Sequence, residues 1–134
     1  MQRVLVDAGP IVALLNRRDR WHARSVAFFD GFAGVAVTTW TVLAETWHLL
    51  PEHTRSHLLR WLEDGGARVM HVPEAELRTL RKLIARYRDR PMDLADATLV
   101  WLAEQERVFD IVTVDLGFDI YRTASGARFT NHLA

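Results

Sequence analysis

Five acidic residues stand at positions where carboxylates are costly or conspicuous. Asp7 follows the apolar run Val4-Leu5-Val6, and Asp115 follows Ile111-Val112-Thr113-Val114. If both runs are central parallel strands, both carboxylates emerge on the same sheet edge. Glu45 lies within a helical pattern, flanked on one face by Val42 and Leu49. A carboxylate on an apolar stripe is expensive to bury unless something compensates it. Asp93 and Asp96 are three apart, at the start of an apolar helical segment, and share a face. Asp119, one turn past Asp115, is either a further member or a plain surface acid.

Each acid also has an ordinary structural reading. Asp7 suits a cap in a strand-to-helix turn before Pro10. Asp115 suits a turn beside Gly117. Glu45 could be a helix-edge residue whose head reaches water. Asp93 reads at least in part as an N-cap, with Asp96 near the positive end of the helix dipole or pointing into a site. Taken together, converging carboxylates would repel one another and raise their own pKa values. A hard divalent cation relieves that repulsion, and oxygen-only ligands suit Mg²⁺ or Mn²⁺ better than zinc or copper. The chemistry that such a set supports is metal-assisted phosphoryl transfer or hydrolysis.

The elements that must position these acids alternate between strand and helix. Strands are predicted at Arg3 to Val6, Val35 to Thr38, Arg68 to Val72 and Ile111 to Val114, with Arg128 to Thr130 as a short edge strand. Helices are predicted from Pro10 to Asn16, from Asp19 as a cap to Phe32, and from Trp40 to Leu50 behind a Thr39 cap. Further helices run from Pro51 to Glu63, Glu74 to Tyr87 and Asp93 to Gln105. This order predicts an α/β fold: a three-layer α/β/α sandwich with a central, mainly parallel sheet. Sites in such sheets form beyond the carboxyl ends of strands, near a switch in strand order.

Composition sets the outer bounds. The 134 residues, 49% of them hydrophobic, are expected to form one domain over residues 1–134. No run is long enough to span a bilayer, and Met1-Gln2-Arg3 leads into an apolar strand rather than a signal peptide. The chain has no cysteine, which excludes disulfides, thiolate-bound zinc and a thiol nucleophile, and fits a cytoplasmic protein. Net charge is zero, and the positive charge is almost all arginine, Lys82 being the sole lysine.

On these segments the sequence resembles the PIN-domain family, above all its short VapC-type toxin members. The segments are LVDAGPIVALLNRRD, TTWTVLAETWHLL, PMDLADATLVWLAE and IVTVDLGFDIYR, and they span nearly the whole chain. The family's early acid falls on Asp7, its helical Glu on Glu45, its helix-start acid on Asp96 and its strand-end acid on Asp115. Asp93 matches an extra acid of many members, and the primary ligand is either Asp93 or Asp96. The resemblance implies an Mg²⁺- or Mn²⁺-dependent ribonuclease with Asp7, Asp96 and Asp115 as metal ligands. Glu45 would orient or deprotonate the attacking water. It further implies a homodimer and, for a toxin, a small antitoxin partner. Many members carry Ser or Thr after the first acid, where this chain has Ala8 and Gly9. The supporting polar residues are then Thr113 and Asn16.

Candidate RNA contacts lie on two basic segments. Arg78, Lys82 and Arg86 recur every four residues as one helical stripe, which reads equally as a solvated face. Arg17, Arg18 and Arg20 form a second patch. Among five tryptophans, Trp40, Trp47, Trp61 and Trp101 suit core or dimer packing, and Trp21 could stack on a base. His53 and His57 are read as a surface face, because HTRSH lacks the Glu of a zinc-protease motif. The alternatives are a non-toxin PIN-type nuclease or a nucleic-acid-binding module without cleavage. A haloacid-dehalogenase-like phosphatase is disfavoured, since it needs a second Asp where Gly9 stands.

Overall fold

A computed structural model describes residues 1–133. Strand β1, Arg3–Val6, has Val4, Leu5 and Val6 wholly buried, the pattern of a central strand covered on both faces. The other strands are β2 (Val35–Thr39), β3 (Arg68–Met70), β4 (Asp110–Val112) and β5 (Thr130–Asn131). Their order is β3-β2-β1-β4-β5, and every pairing is parallel. The chain steps outward from β1 to β2 to β3, then returns to the far side of β1. Strands β1 and β4 therefore bracket the switch point.

Six α-helices connect the strands: α1 (Ala8–Leu15), α2 (His22–Gly31), α3 (Trp40–Leu49), α4 (Arg55–Glu63), α5 (Leu77–Arg86) and α6 (Leu94–Glu106). Helices α1, α2 and α3 pack together and α5 packs on α6, which also meets α3, consistent with the expected three-layer sandwich. Helix α6 is buried from Ala95 through Ala103 and so behaves as a core helix rather than an amphipathic one. That burial carries Asp96 inward with it.

Several boundaries differ from expectation. Helix α2 starts at His22, not at Asp19, because the Asp19 carboxylate accepts the Trp21 N–H within the preceding turn. The 51–63 and 74–87 segments each open with a short 3-10 turn before α4 and α5. Strand β4 ends at Val112, so Asp115 stands three residues beyond it rather than directly after it. Strand β5 is shifted to Thr130–Asn131. Trp40 and Trp47 are 63% and 36% exposed on α3, so neither fills the core. Trp101 is a core residue, and Trp61 packs at its edge. Trp21 is half-buried against the core, with the Arg20 and Arg24 guanidinium groups over its ring at 5.4 and 5.0 Å.

Candidate active site

The β1–β4 pairing continues into the first acid. The Asp7 N–H donates to the Val112 carbonyl at 3.1 Å, which fixes where the Asp7 side chain starts. Asp7 is 5% exposed, and both its oxygens are engaged. Oδ1 accepts the Ala8 N–H at 2.8 Å, the N-cap bond of α1, and Oδ2 accepts the Thr113 hydroxyl at 2.8 Å. The same Thr113 oxygen accepts the Asp115 N–H at 2.9 Å. Thr113 thus supplies the hydroxyl missing from position 8. Gly9 has its own role: a Cβ there would overlap the Val114 side chain, on the loop that carries Asp115.

Asp96 arrives from the opposite side on α6. A reciprocal cap fixes it: the Asp93 Oδ1 accepts the Asp96 N–H at 2.8 Å, and Asp96 Oδ2 accepts the Asp93 N–H at 3.2 Å. Asp93 is therefore the N-cap, as its structural reading held, while Asp96 is buried. Oxygens of Asp7, Asp96 and Asp115 lie within 4.8 Å of one another. Glu45 lies beside Asp93, close enough for the Asp93 charge to raise the Glu45 carboxyl. The apolar stripe expected around Glu45 is only half present, since Val42 is buried but Leu49 is 58% exposed. Glu45 sits half-buried at the boundary, with access to both the acids and solvent.

Electrostatics follow from this crowding. Burial pushes the Asp7 carboxyl up to about 6, against the opposing hydrogen bonds from Thr113 and Ala8, and the charges of Asp115 and Asp93 add to the rise. Burial first, then the charges of Asp7 and Asp93, push Asp96 up to about 8. Glu45 rises to about 7 by burial, then by the charges of Asp93 and Asp7. Tyr121, raised to about 12 by burial and then by Asp96, stays a neutral donor and bonds the Pro91 carbonyl at 3.0 Å. Among the described residues the ion pairs are Arg3–Glu106, Arg107–Glu104 and His132–Asp110, and none neutralises this cluster. Packed oxygen donors without a protein cation fit a hard divalent ion.

The same family of sequences accounts for this arrangement. The sequence pattern of the PIN domain matches residues 4–123. The chain belongs to the PIN domain family. As a PIN domain it is 26% identical over 132 residues to Ribonuclease VapC26 of Mycobacterium tuberculosis, covering 95% of this chain and 98% of that protein. Its fold is similar to the crystal structure of Mycobacterium tuberculosis VapC20, described as a Sarcin-Ricin loop cleaving toxin. That match has a TM-score of 0.78 at 22% identity, covering 84% of this chain and 90% of that one. FitAcB from Neisseria gonorrhoeae is similar at a TM-score of 0.60 and 21% identity, covering 95% of this chain and 96% of that one.

Other expected site residues lie elsewhere in this PIN domain. Asn16 caps the far end of α1, about 13 to 14 Å along the helix from Asp7 at roughly 1.5 Å per residue, and its oxygen accepts the Arg18 N–H. With Arg17, Arg18, His22, His53 and His57 it lines a separate groove of about 880 Å³. Asn16 is thus no part of the acidic site, because α1 runs away from the sheet edge. Asp119 is exposed and outside the oxygen cluster. Arg78, Lys82 and Arg86 are exposed on α5, and Lys82 and Arg86 line a smaller groove of about 240 Å³ with Thr79, Leu83 and Ala124. Sequence patterning did not reveal the positioning parts Thr38, Thr98 and Asn131. Thr38 donates to the Val6 carbonyl at 2.9 Å, tying β2 to the end of β1 beside Asp7. A threonine-rich strand end was the only available signal.

Proposed function

We propose that the chain is a single-domain, Mg²⁺-dependent endoribonuclease, with Mn²⁺ as a substitute, and the toxin of a type II toxin–antitoxin pair. The observation that carries this reading is the convergence of Asp7, Asp96 and Asp115 at a switch point, with no ion pair to neutralise them among the described residues. Asp7, Asp96 and Asp115 would hold the ion, and Asp96 is preferred to Asp93 because its oxygen, unlike that of Asp93, lies in the cluster with Asp7 and Asp115. The bound ion supplies charge neutralisation and Lewis acidity at a phosphodiester.

The protein's own groups supply the rest. Glu45 is half-buried beside the cluster and raised towards neutrality, so its carboxylate can accept a proton from an attacking water at physiological pH. The neighbouring Asp93 charge helps raise the Glu45 carboxyl and so favours its acting as a base. Thr113 holds Asp7 Oδ2 in place, and the Ala8 N–H holds Oδ1. The exposed α5 stripe of Arg78, Lys82 and Arg86 supports contact with RNA phosphates. Arg17 lies in the separate groove and would touch only a longer RNA.

Partners follow from the same reading. A toxin that cleaves RNA in its own cell needs an inhibitor, so a small antitoxin protein is expected. The exposed Trp40, Trp47 and Leu59, around an apolar groove of about 200 Å³ between α3 and α4, support a homodimer. The test is cleavage of a mixed RNA pool with Mg²⁺, with Mn²⁺ and with EDTA, beside the Asp7→Asn variant. Cleavage that needs metal and vanishes in the variant is the expected result. RNA binding without cleavage by folded protein would overturn the nuclease reading in favour of a binding module.

A further inference from the structure

Strand β4 stops one residue short of Thr113, yet Thr113 is held as firmly as a strand residue. Its neighbour β5 pairs through the backbone only up to Ile111, where Asn131 sits opposite and His132 N–H donates to the Ile111 carbonyl at 2.8 Å. Beyond that point the Asn131 side chain takes over the ladder. Its Nδ2 donates to the Thr113 carbonyl at 3.0 Å, and its Oδ1 accepts the Thr113 N–H at 3.2 Å. The same Oδ1 accepts the Leu133 N–H at 3.1 Å, which fixes the amide to its own chain. A planar amide offering one donor and one acceptor mimics the peptide that β5 no longer provides. Its orientation is dictated, because the flipped amide would set donors against the Thr113 and Leu133 N–H groups.

We propose that Asn131 is a positioning residue for the metal-binding carboxylates, acting through Thr113. The proposal rests on the divalent-ion reading above. The Thr113 hydroxyl donates to Asp7 Oδ2 and accepts the Asp115 N–H, so one side chain sets two of the three clustered acids. Thr113 is 1% exposed, and its hydroxyl can serve both acids only while its backbone keeps this orientation. Asn131 is what holds that backbone. A residue that merely closed the sheet edge would affect stability alone; one that aligns ligands also changes ion affinity.

The experiment measures Mn²⁺ affinity of the full chain, by calorimetry or electron paramagnetic resonance, without substrate. Wild type is compared with Asn131→Ala, Asn131→Asp, Thr113→Val and the Asn131→Ala/Thr113→Val pair. Asn131→Ala is expected to weaken Mn²⁺ binding about ten-fold. Asn131→Asp keeps the acceptor and loses the donor, so it carries the test if the alanine variant fails to fold; a loss of a few-fold is expected. In the Thr113→Val background, Asn131→Ala should cost less than a further two-fold, because the path to the ligands is already cut. Wild-type affinity in a folded Asn131 variant overturns the proposal, as does a full loss repeated in the Thr113→Val background. Wild-type protein that binds no Mn²⁺ overturns the divalent-ion reading as well, so the two failures are distinguishable.

Discussion

The hydroxyls of Thr39 and Thr98 meet at 2.9 Å in the interior, 59 residues apart in sequence. The direction of the bond is fixed by their other partners. Thr98 donates its proton to the Ala95 carbonyl at 2.7 Å, so Thr39 must donate to Thr98. Thr39 then accepts the Val42 N–H, capping α3. This contact joins the start of the helix that carries Glu45 to the first turns of the helix that carries Asp96. Thr98→Val leaves the buried Thr39 proton without an acceptor, a cost of about 1–3 kcal/mol. Urea denaturation should show that loss, with cleavage falling beyond what the unfolded fraction explains. Adding Thr39→Val should recover part of the stability, because both partners are then gone.

The crowded acids also make a prediction about pH. Asp7, Glu45 and Asp96 have raised pKa values in the folded chain, about 6, 7 and 8. Between their unfolded values near 4 and these folded values, the folded state binds more protons than the unfolded one. Stability of the metal-free protein should therefore be full at low pH within the native range and fall as pH rises from about 4 to 8. Asp7 alone would contribute on the order of 2–3 kcal/mol to that fall. Thermal melts in EDTA across this range measure it. Excess Mg²⁺ at pH 8 should restore stability, and Asp7→Asn should flatten the metal-free pH dependence. A metal-free melting temperature that rises from pH 5 to 8 would contradict this account.

The residues differ in how much they disclosed. Val4-Leu5-Val6 announced a central parallel strand because such strands are buried on both faces. The capping role of Asp93 was legible from one local rule, since an acid before an apolar helix tends to bond the third N–H. The burial of Asp96 was not local; it follows from α6 being covered nearly all round. Asn131 was illegible because its role depends on where β4 ends, and strand ends are set by tertiary pairing. The expected closeness of Asn16 failed for a similar reason: sequence proximity to Asp7 ignored the direction of α1. Trp40 and Trp47 fit an apolar helical pattern, but they border the open groove between α3 and α4 instead of entering the core, so they are exposed.

The α5 stripe predicts a change in salt dependence. Arg78, Lys82 and Arg86 are all exposed, so replacing Lys82 and Arg86 with Ser should leave the melting temperature within about 2 °C of wild type. If both contact phosphates, RNA affinity measured in Ca²⁺ should drop, and the log–log slope with salt should shrink by about 1.4, at 0.7 per contact on single strands. Fluorescence anisotropy between 50 and 200 mM salt, about the range where such slopes are clear, provides the measurement. An unchanged slope would remove α5 from the RNA surface.

Glu45 separates proton handling from ion binding. Its carboxyl lies outside the three-oxygen cluster of Asp7, Asp96 and Asp115, beside Asp93. Glu45→Gln keeps the shape and a hydrogen-bonding head but cannot accept a proton from water. Cleavage should fall by roughly 10²–10⁴-fold, the usual contribution of a positioned base. Mn²⁺ affinity should stay close to wild type, or tighten slightly, since one repelling carboxylate has gone. Asp96→Asn should do the opposite, losing ion affinity and cleavage together. Parallel Mn²⁺ titrations and single-turnover cleavage of the two variants decide the matter. If Glu45→Gln loses Mn²⁺ binding as severely as Asp96→Asn, then Glu45 holds the ion and the division of labour drawn from the geometry is wrong.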